Sequence, residues 1–234
     1  MSSGPGCLVA YDSSIITEVL VMKQQYLVAG LGRFGSSVAR TLYGLGHEVL
    51  GIDLNERLCE DLKTEITHVV QGDATDLDVL RAIDIEQFEA AVVAIGTHFE
   101  ASVLTTLRLK QVRVPYILAK AVSWEQVQVL QLTGAHRVIF PEEEAGEHAA
   151  YRLLNRHLVD YLRLDATVSV VAIEVGSWVG TNLADVERQS GLTALGVFRA
   201  GRMVAVADSD PLAPQDKLVL AGHNSALQAL TRMR

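Results

Sequence analysis

The sequence predicts an α/β protein built on a doubly wound parallel sheet, followed by a crossover helix and a small α+β lobe. Three observations carry that expectation. From Lys23 to about Pro141, short β-rich runs alternate with helical stretches, with glycine or an acid at the strand ends. The first run, Tyr26-Leu27-Val28-Ala29, opens directly into Gly30-Leu31-Gly32-Arg33-Phe34-Gly35, after which Val38, Leu42 and Leu45 recur at helical spacing. Beyond Ala166 the pattern changes, and strands outnumber helices.

Taken in order, strands are expected at 24–29, 48–53, 67–71, 90–95, 115–120 and 136–140. Helices fall at about 33–45, 55–64, 76–82, 98–111 and 123–132. Strand, glycine turn and helix together give the G-x-G-x-x-G run its meaning as a Rossmann-like nucleotide fingerprint. Gly30 permits the tight turn, Gly32 lets backbone approach a pyrophosphate, and Gly35 lets helix and strand pack closely. The N–H groups and positive end of the helix then hold the phosphates. Asp53 closes the second strand, Glu48–Asp53, 18 residues after Gly35. A carboxylate there accepts both ribose hydroxyls and disfavours a 2′-phosphate. Arg33, in the first helical turn, opposes the macrodipole at a cost of about 0.3–1 kcal/mol unless a phosphate reverses the sign. Its plain alternative is a solvated side chain.

Three more stretches lie at strand ends, where such sheets bind ligands. Asp73, in Gly72-Asp73-Ala74-Thr75, faces two roles, accepting an adenine amino group or capping the helix that begins near Asp76. In Ala94-Ile95-Gly96-Thr97, Gly96 allows close approach and Thr97 is a candidate cap. Lys120 either reaches a phosphate or lies solvated at the mouth. Pro141-Glu142-Glu143-Glu144 opens a helix expected to run to about Leu162, with Ala145, Ala149, Leu153 and Leu154 on its apolar face. Acids after a proline suit a helix N-terminus through the dipole alone. The alternative is that a carboxylate there meets phosphates through a divalent cation. The last lobe reads as a strand at Val168–Val175, a helix at Asn182–Gly191 and a strand at Thr193–Arg199. A turn at Gly201 leads to Met203–Ala207, then come a strand at Lys217–Gly222 and a helix at 223–232. A lobe of about 70 residues buries a modest core, so the crossover helix is expected to pack against a neighbour.

The totals exclude several partners. Of 234 residues, 49% are hydrophobic and 21% charged, which fits one main domain plus a small one. The net charge is −8 with no basic tract, which argues against nucleic acid, whose binding rests on phosphate neutralisation. No apolar run approaches the roughly 20 residues of a membrane span. Cys7 and Cys59 have no metal or disulfide-framework spacing, so a reducing cytoplasm is expected. Residues 1–21 make a poor signal peptide and are read as an extension, disordered or added, without assigned function.

The stretches Gly30–Gly35, Gly46-His47-Glu48-Val49-Leu50, Asp53-Leu54-Asn55-Glu56, Val92-Val93-Ala94-Ile95-Gly96 and Pro141–Gly146 together resemble the KTN/RCK regulatory proteins of potassium transport, of the KtrA (TrkA-like) type. The resemblance runs from Met22 to the end. It implies a nucleotide-binding Rossmann domain at 22–141, a crossover helix at 142–163 and a C-terminal lobe at 164–234. It also implies ATP or ADP, or NAD(H), as ligand, and dimers assembled into an octameric ring beneath a membrane potassium-transporting subunit, on its cytoplasmic side. Carried over by position, the resemblance places Arg33 on the terminal phosphates, with Gly30, Gly32, Phe34 and Gly35 forming the loop. Asp53, Leu54 and Asn55 fall at the ribose, and Asp73 and Ala74 at the adenine. Ile95, Gly96, Thr97, Lys120 and Ala121 fall along the phosphate side. Glu142 would hold Mg²⁺ or Ca²⁺, and the C-lobe is where some relatives take cyclic di-AMP.

Two function classes follow. In the first, nucleotide is an effector without turnover, shifting ring states by differential affinity. The rival is a nicotinamide-dependent oxidoreductase or NAD(H) redox sensor. That enzyme needs a proton donor beside the nicotinamide, and no Tyr-x-x-x-Lys or H-E-x-x-H pair is expected to supply one. His47, His68, His98, His136, His148, His157 and His223 fall in no catalytic spacing, with His148 and His157 placed on one long helix.

Overall fold

The computed structural model describes residues 22–96, 98–204 and 210–230, and divides into two compact units that meet in sequence between Phe140 and Pro141. In the first, strands β1 (Gln25–Ala29), β2 (Glu48–Asp53), β3 (His68–Gln71), β4 (Ala90–Val93), β5 (Tyr116–Lys120) and β6 (Arg137–Ile139) alternate with helices. These are α1 (Arg33–Gly44), α2 (Glu56–Leu62), α3 (Leu77–Ala82), α4 (Phe99–Gln111) and α5 (Trp124–Thr133). The strands lie in the order β3-β2-β1-β4-β5-β6, every pairing parallel.

Both faces of this sheet are covered, which is why its strands read as continuous apolar runs. Along β1 the side chains alternate. Val28 joins Ala39, Cys59 and Leu62 under α1 and α2, while Leu27 and Ala29 join Leu80, Leu109 and Leu130 under α3, α4 and α5. The sequence order reverses between β1 and β4, and that switch point opens a crevice at the carboxyl ends of the strands.

The second unit begins with α6 (Pro141–Leu154). It continues with β7 (Leu158–Arg163), β8 (Val168–Glu174), α7 (Leu183–Ser190), β9 (Thr193–Arg199), β10 (Arg202–Val204), β11 (Lys217–His223) and α8 (Asn224–Leu230). Its sheet runs β10-β9-β11-β8-β7, antiparallel throughout. Tyr161, Val171, Ile173, Val197, Leu218 and Leu220 form its core with Val186 and Leu227.

One expectation is corrected here. The helix opened by Pro141 does not reach Leu162: it ends at Leu154, and 158–163 is a strand. Asn155 makes the break, its N–H donating to the Tyr151 carbonyl at 3.0 Å while its Oδ1 accepts from the His157 N–H at 2.9 Å. Beyond it the backbone pairs with β8, Tyr161 opposite Val171, a long-range pairing that local periodicity does not report. His157 therefore leaves the helix that carries His148. No residue of α6 is buried, and Leu153 and Leu154 stand exposed. Residues 205–207 of the expected strand and 231–232 of the expected last helix lie outside the described residues.

Candidate functional site

The glycine turn occupies the crevice. Gly30 has φ +94°, and its N–H donates to the Ile52 carbonyl at 2.8 Å. A Cβ at Gly35 would stand 1.9 Å from the Gly30 carbonyl oxygen, so close packing of α1 on the turn dictates glycine there. Gly32 differs. Its φ of −61° suits any residue, and no atom lies within 4 Å of where its Cβ would be. The fold does not require glycine at 32, and the room it leaves is on the open side of the turn.

The first turn of α1 has neither a side-chain cap nor an acid. By contrast α2, α3, α5 and α7 are capped by Asn55, Asp76, Ser123 and Asn182. A helix start leaves its first N–H groups without intrahelical partners, and an anion satisfies them. Arg33 is exposed beside them, and no carboxylate pairs with it among the described residues. Phe34, Gly96 and Lys120 come together from α1, the loop after β4 and the end of β5. Lys120 Nζ lies 5.7 Å from the centre of the Phe34 ring, and it would be 3.5 Å from a Cβ at Gly96.

Asp53 is held by backbone. Its Oδ2 accepts from the Leu31 N–H at 2.7 Å and its Oδ1 from the Asn55 N–H at 2.8 Å. A carboxylate offers about four lone-pair sites, so two remain for ribose hydroxyls. Asn55 caps α2 with its Oδ1, which accepts from the Arg57 and Leu58 N–H groups, so its amide NH₂ takes no part in the cap. Leu54, between them, is 67% exposed. Asp73 does not cap α3, a role Asp76 fills. Its Oδ1 instead accepts from both the N–H and the hydroxyl of Thr75, at 2.9 and 2.7 Å.

The methyl groups of Ala74 and Ala121 are buried in the core, and the Ala121 N–H donates to Ile139 at 2.9 Å. Those two positions therefore offer a ligand at most a backbone group. Ile95 is partly buried against the same core. Thr97 lies outside the described residues; α4 starts after His98, with no side-chain cap. Glu142 stands with Glu143 and Glu144 in the first turn of α6, in the second unit. Among the described residues no three His, Cys, Asp or Glu side chains gather as a cation set. A cation at Glu142 would thus need donors beyond the described side chains.

The expectation that no Tyr-x-x-x-Lys pair exists is wrong on the sequence itself, since Tyr116-Ile117-Leu118-Ala119-Lys120 has that spacing. The structure puts the pair on a strand rather than a helix. Four strand steps separate the two by about 13 Å, too far to act on one proton. Tyr116 stacks instead on His136, ring centres 5.5 Å apart. Sequence reasoning also missed the Leu31 N–H and Arg108, whose Nε donates to the Thr75 carbonyl. Backbone donors and contacts 33 residues apart leave no local signal.

The chain is also similar to known proteins. A family model described as the TrkA-N domain matches residues 26–141. Ktr system potassium uptake protein A of Bacillus subtilis is 34% identical over 212 residues, covering 89% of this chain and 96% of the relative. Ktr system potassium uptake protein C of the same organism is 32% identical, covering 86% and 93%. Among solved structures, one described as the GsuK channel bound to NAD shares the fold at a TM-score of 0.61 and 19% identity. It is matched over 90% of this chain, which spans only 39% of that longer one. No helix among the described residues is long and apolar enough to cross a membrane. With near full-length relatives at this identity and that family model matched across its first unit, the chain belongs to the family of the Ktr system potassium uptake proteins and carries its TrkA-N domain.

Proposed function

We propose that the chain is a nucleotide-binding regulatory subunit of a membrane potassium-uptake system, acting at the cytoplasmic face without turning its nucleotide over. The observation that carries this reading is the convergence at one switch point of an uncapped helix start, the open side of Gly32, and the Asp53 carboxylate. ATP and ADP fit as effectors, their phosphates on the α1 N-terminus with Arg33 and Lys120, and the ribose at Asp53. The names of the relatives support the potassium-uptake partner. Gating through a homodimer-based octameric ring is the expected consequence, with nucleotide favouring one ring state by binding it more tightly. NAD(H) as ligand is the second reading. Asp53 suits the unphosphorylated ribose common to ATP, ADP and NAD(H), and the solved channel is described as bound to NAD.

Calorimetric titration of the purified chain with ATP, ADP and NADH decides between them. Arg33 at the terminal phosphate requires ATP to bind more tightly than ADP, by a margin that shrinks in Arg33→Ala. NADH binding more tightly than both moves the assignment to redox sensing. Steady oxidation of NADH with a small carbonyl substrate, abolished by Asp53→Ala, makes the chain an enzyme.

A further inference from the structure

We propose that Thr75 and Arg108 are positioning residues that fix Asp73 as the reader of the nucleotide base, selecting a purine that carries a 6-amino group. The inference rests on the reading that the crevice takes an adenine nucleotide.

Asp73 is half-buried in the turn between β3 and α3. One of its oxygens, Oδ1, is engaged twice by Thr75, through the N–H at 2.9 Å and the hydroxyl at 2.7 Å. The other oxygen has no partner among the described residues. An ionised carboxylate only accepts, so what Oδ2 can bind is a donor such as an exocyclic amine. Asp73 also holds the turn through its main chain, its carbonyl accepting from the Asp76 N–H at 3.1 Å. The turn is tied to the ribose side as well, the Gly72 N–H donating to the Asp53 carbonyl at 3.0 Å.

Thr75 is in turn fixed from another element. Arg108, on α4, donates from Nε to the Thr75 carbonyl at 3.3 Å, and its Nη1 donates to Gln111 at 3.0 Å. Gln111 sits one helical turn on, so the guanidinium is oriented before it reaches the loop. The result is a relay from α4 through Thr75 to one carboxylate oxygen, which leaves the second oxygen unengaged among the described residues. A group held by both the N–H and the hydroxyl of one fixed residue loses little freedom when a ligand arrives, which sharpens discrimination between donor and non-donor ligands.

The test compares ATP with purine riboside triphosphate, which has hydrogen in place of the 6-amino group, by calorimetry on the full chain. The parent is expected to prefer ATP by about ten- to a hundredfold, the loss of one charge-assisted hydrogen bond. Thr75→Val should bring that ratio close to one by weakening ATP alone, and Thr75→Ser should keep it. Arg108→Ala should lower the ratio by several-fold, with Arg108→Lys recovering part of it. A purely structural role would weaken both ligands equally and leave the ratio where it was, which overturns the proposal, as does a parent that binds both ligands alike. A parent that binds neither ATP, ADP nor NADH overturns the nucleotide reading itself, and this inference with it.

Discussion

Asp53 and Leu31 are joined by a 2.7 Å hydrogen bond that ties the end of β2 to the middle of the glycine turn. The carboxylate is therefore part of the loop's own structure before any ribose arrives, and its second oxygen is held by the Asn55 N–H. Both backbone partners are donors. An asparagine at 53 would have to turn its own NH₂ toward one of them.

Substitutions at 53 are accordingly expected to act on fold and ligand together. Asp53→Ala should weaken adenine nucleotide about ten- to a hundredfold. It should also lower stability without ligand by about 1–3 kcal/mol, since backbone donors lose their acceptors. Asp53→Asn should share the stability loss. Urea unfolding of the ligand-free protein measures it, and two variants as stable as the parent would refute the structural half of the role.

The two glycines at 32 and 35 should separate cleanly. Gly32→Ala puts a methyl into open space and is expected to leave stability within about 0.5 kcal/mol while obstructing phosphate. Gly35→Ala drives a methyl into the Gly30 carbonyl and should cost about 1–3 kcal/mol or more. Thermal melts with and without ATP test this. Equal melting losses in the two variants would contradict the assignment of room at 32.

Glu142 gives a prediction whose sign distinguishes its roles. If a shared Mg²⁺ or Ca²⁺ lies between this carboxylate and phosphate, added cation tightens ATP, and Glu142→Gln removes most of the gain at matched free metal. A charge serving only the start of α6 alters stability by about 0.3–1 kcal/mol and leaves the metal dependence intact. Titrations of parent and variant at several free Ca²⁺ levels decide it.

In the second unit, Arg199 grips the fully buried carboxylate of Asp216 with Nε and Nη2, both at 2.7 Å, and the Ala213 N–H adds a third donor. The Arg199 hydrogen bonds hold the Asp216 carboxyl below its usual range, against the opposing effect of burial. A depressed folded-state value means the contribution is complete above the unfolded carboxylate's range near pH 4 and is lost as pH falls through the folded value. Arg199→Met strands a buried charge and is expected to cost about 3–5 kcal/mol at pH 7. The gap to the parent should narrow below about pH 4, where the variant's carboxyl is already protonated. A gap constant from pH 7 to pH 3 in denaturant titrations would show that the pair contributes no charge-dependent stability.

The sequence by itself determined the first unit almost completely. Its strand–helix alternation is local, each apolar run is bounded by glycine or acid, and a parallel sheet covered on both faces makes those runs continuous. The glycine turn, Asp53 and Lys120 were legible for the same reason, because each sits at a fixed offset from a strand end. Tertiary structure alone decided the rest. Residues 158–163 became β7 because β8 was there to pair with, although the preceding helix gave no local reason to expect a strand at that point. Tyr116 and Lys120 share a motif's spacing but lie at opposite ends of a strand, since the same offset that closes one turn of helix spans the length of β5. Asp53 turned out to bind Leu31, and Thr75 to be held by Arg108, through contacts 22 and 33 residues apart in the chain. Such contacts follow from how the sheet brings its strand ends together, and no window of sequence contains both partners.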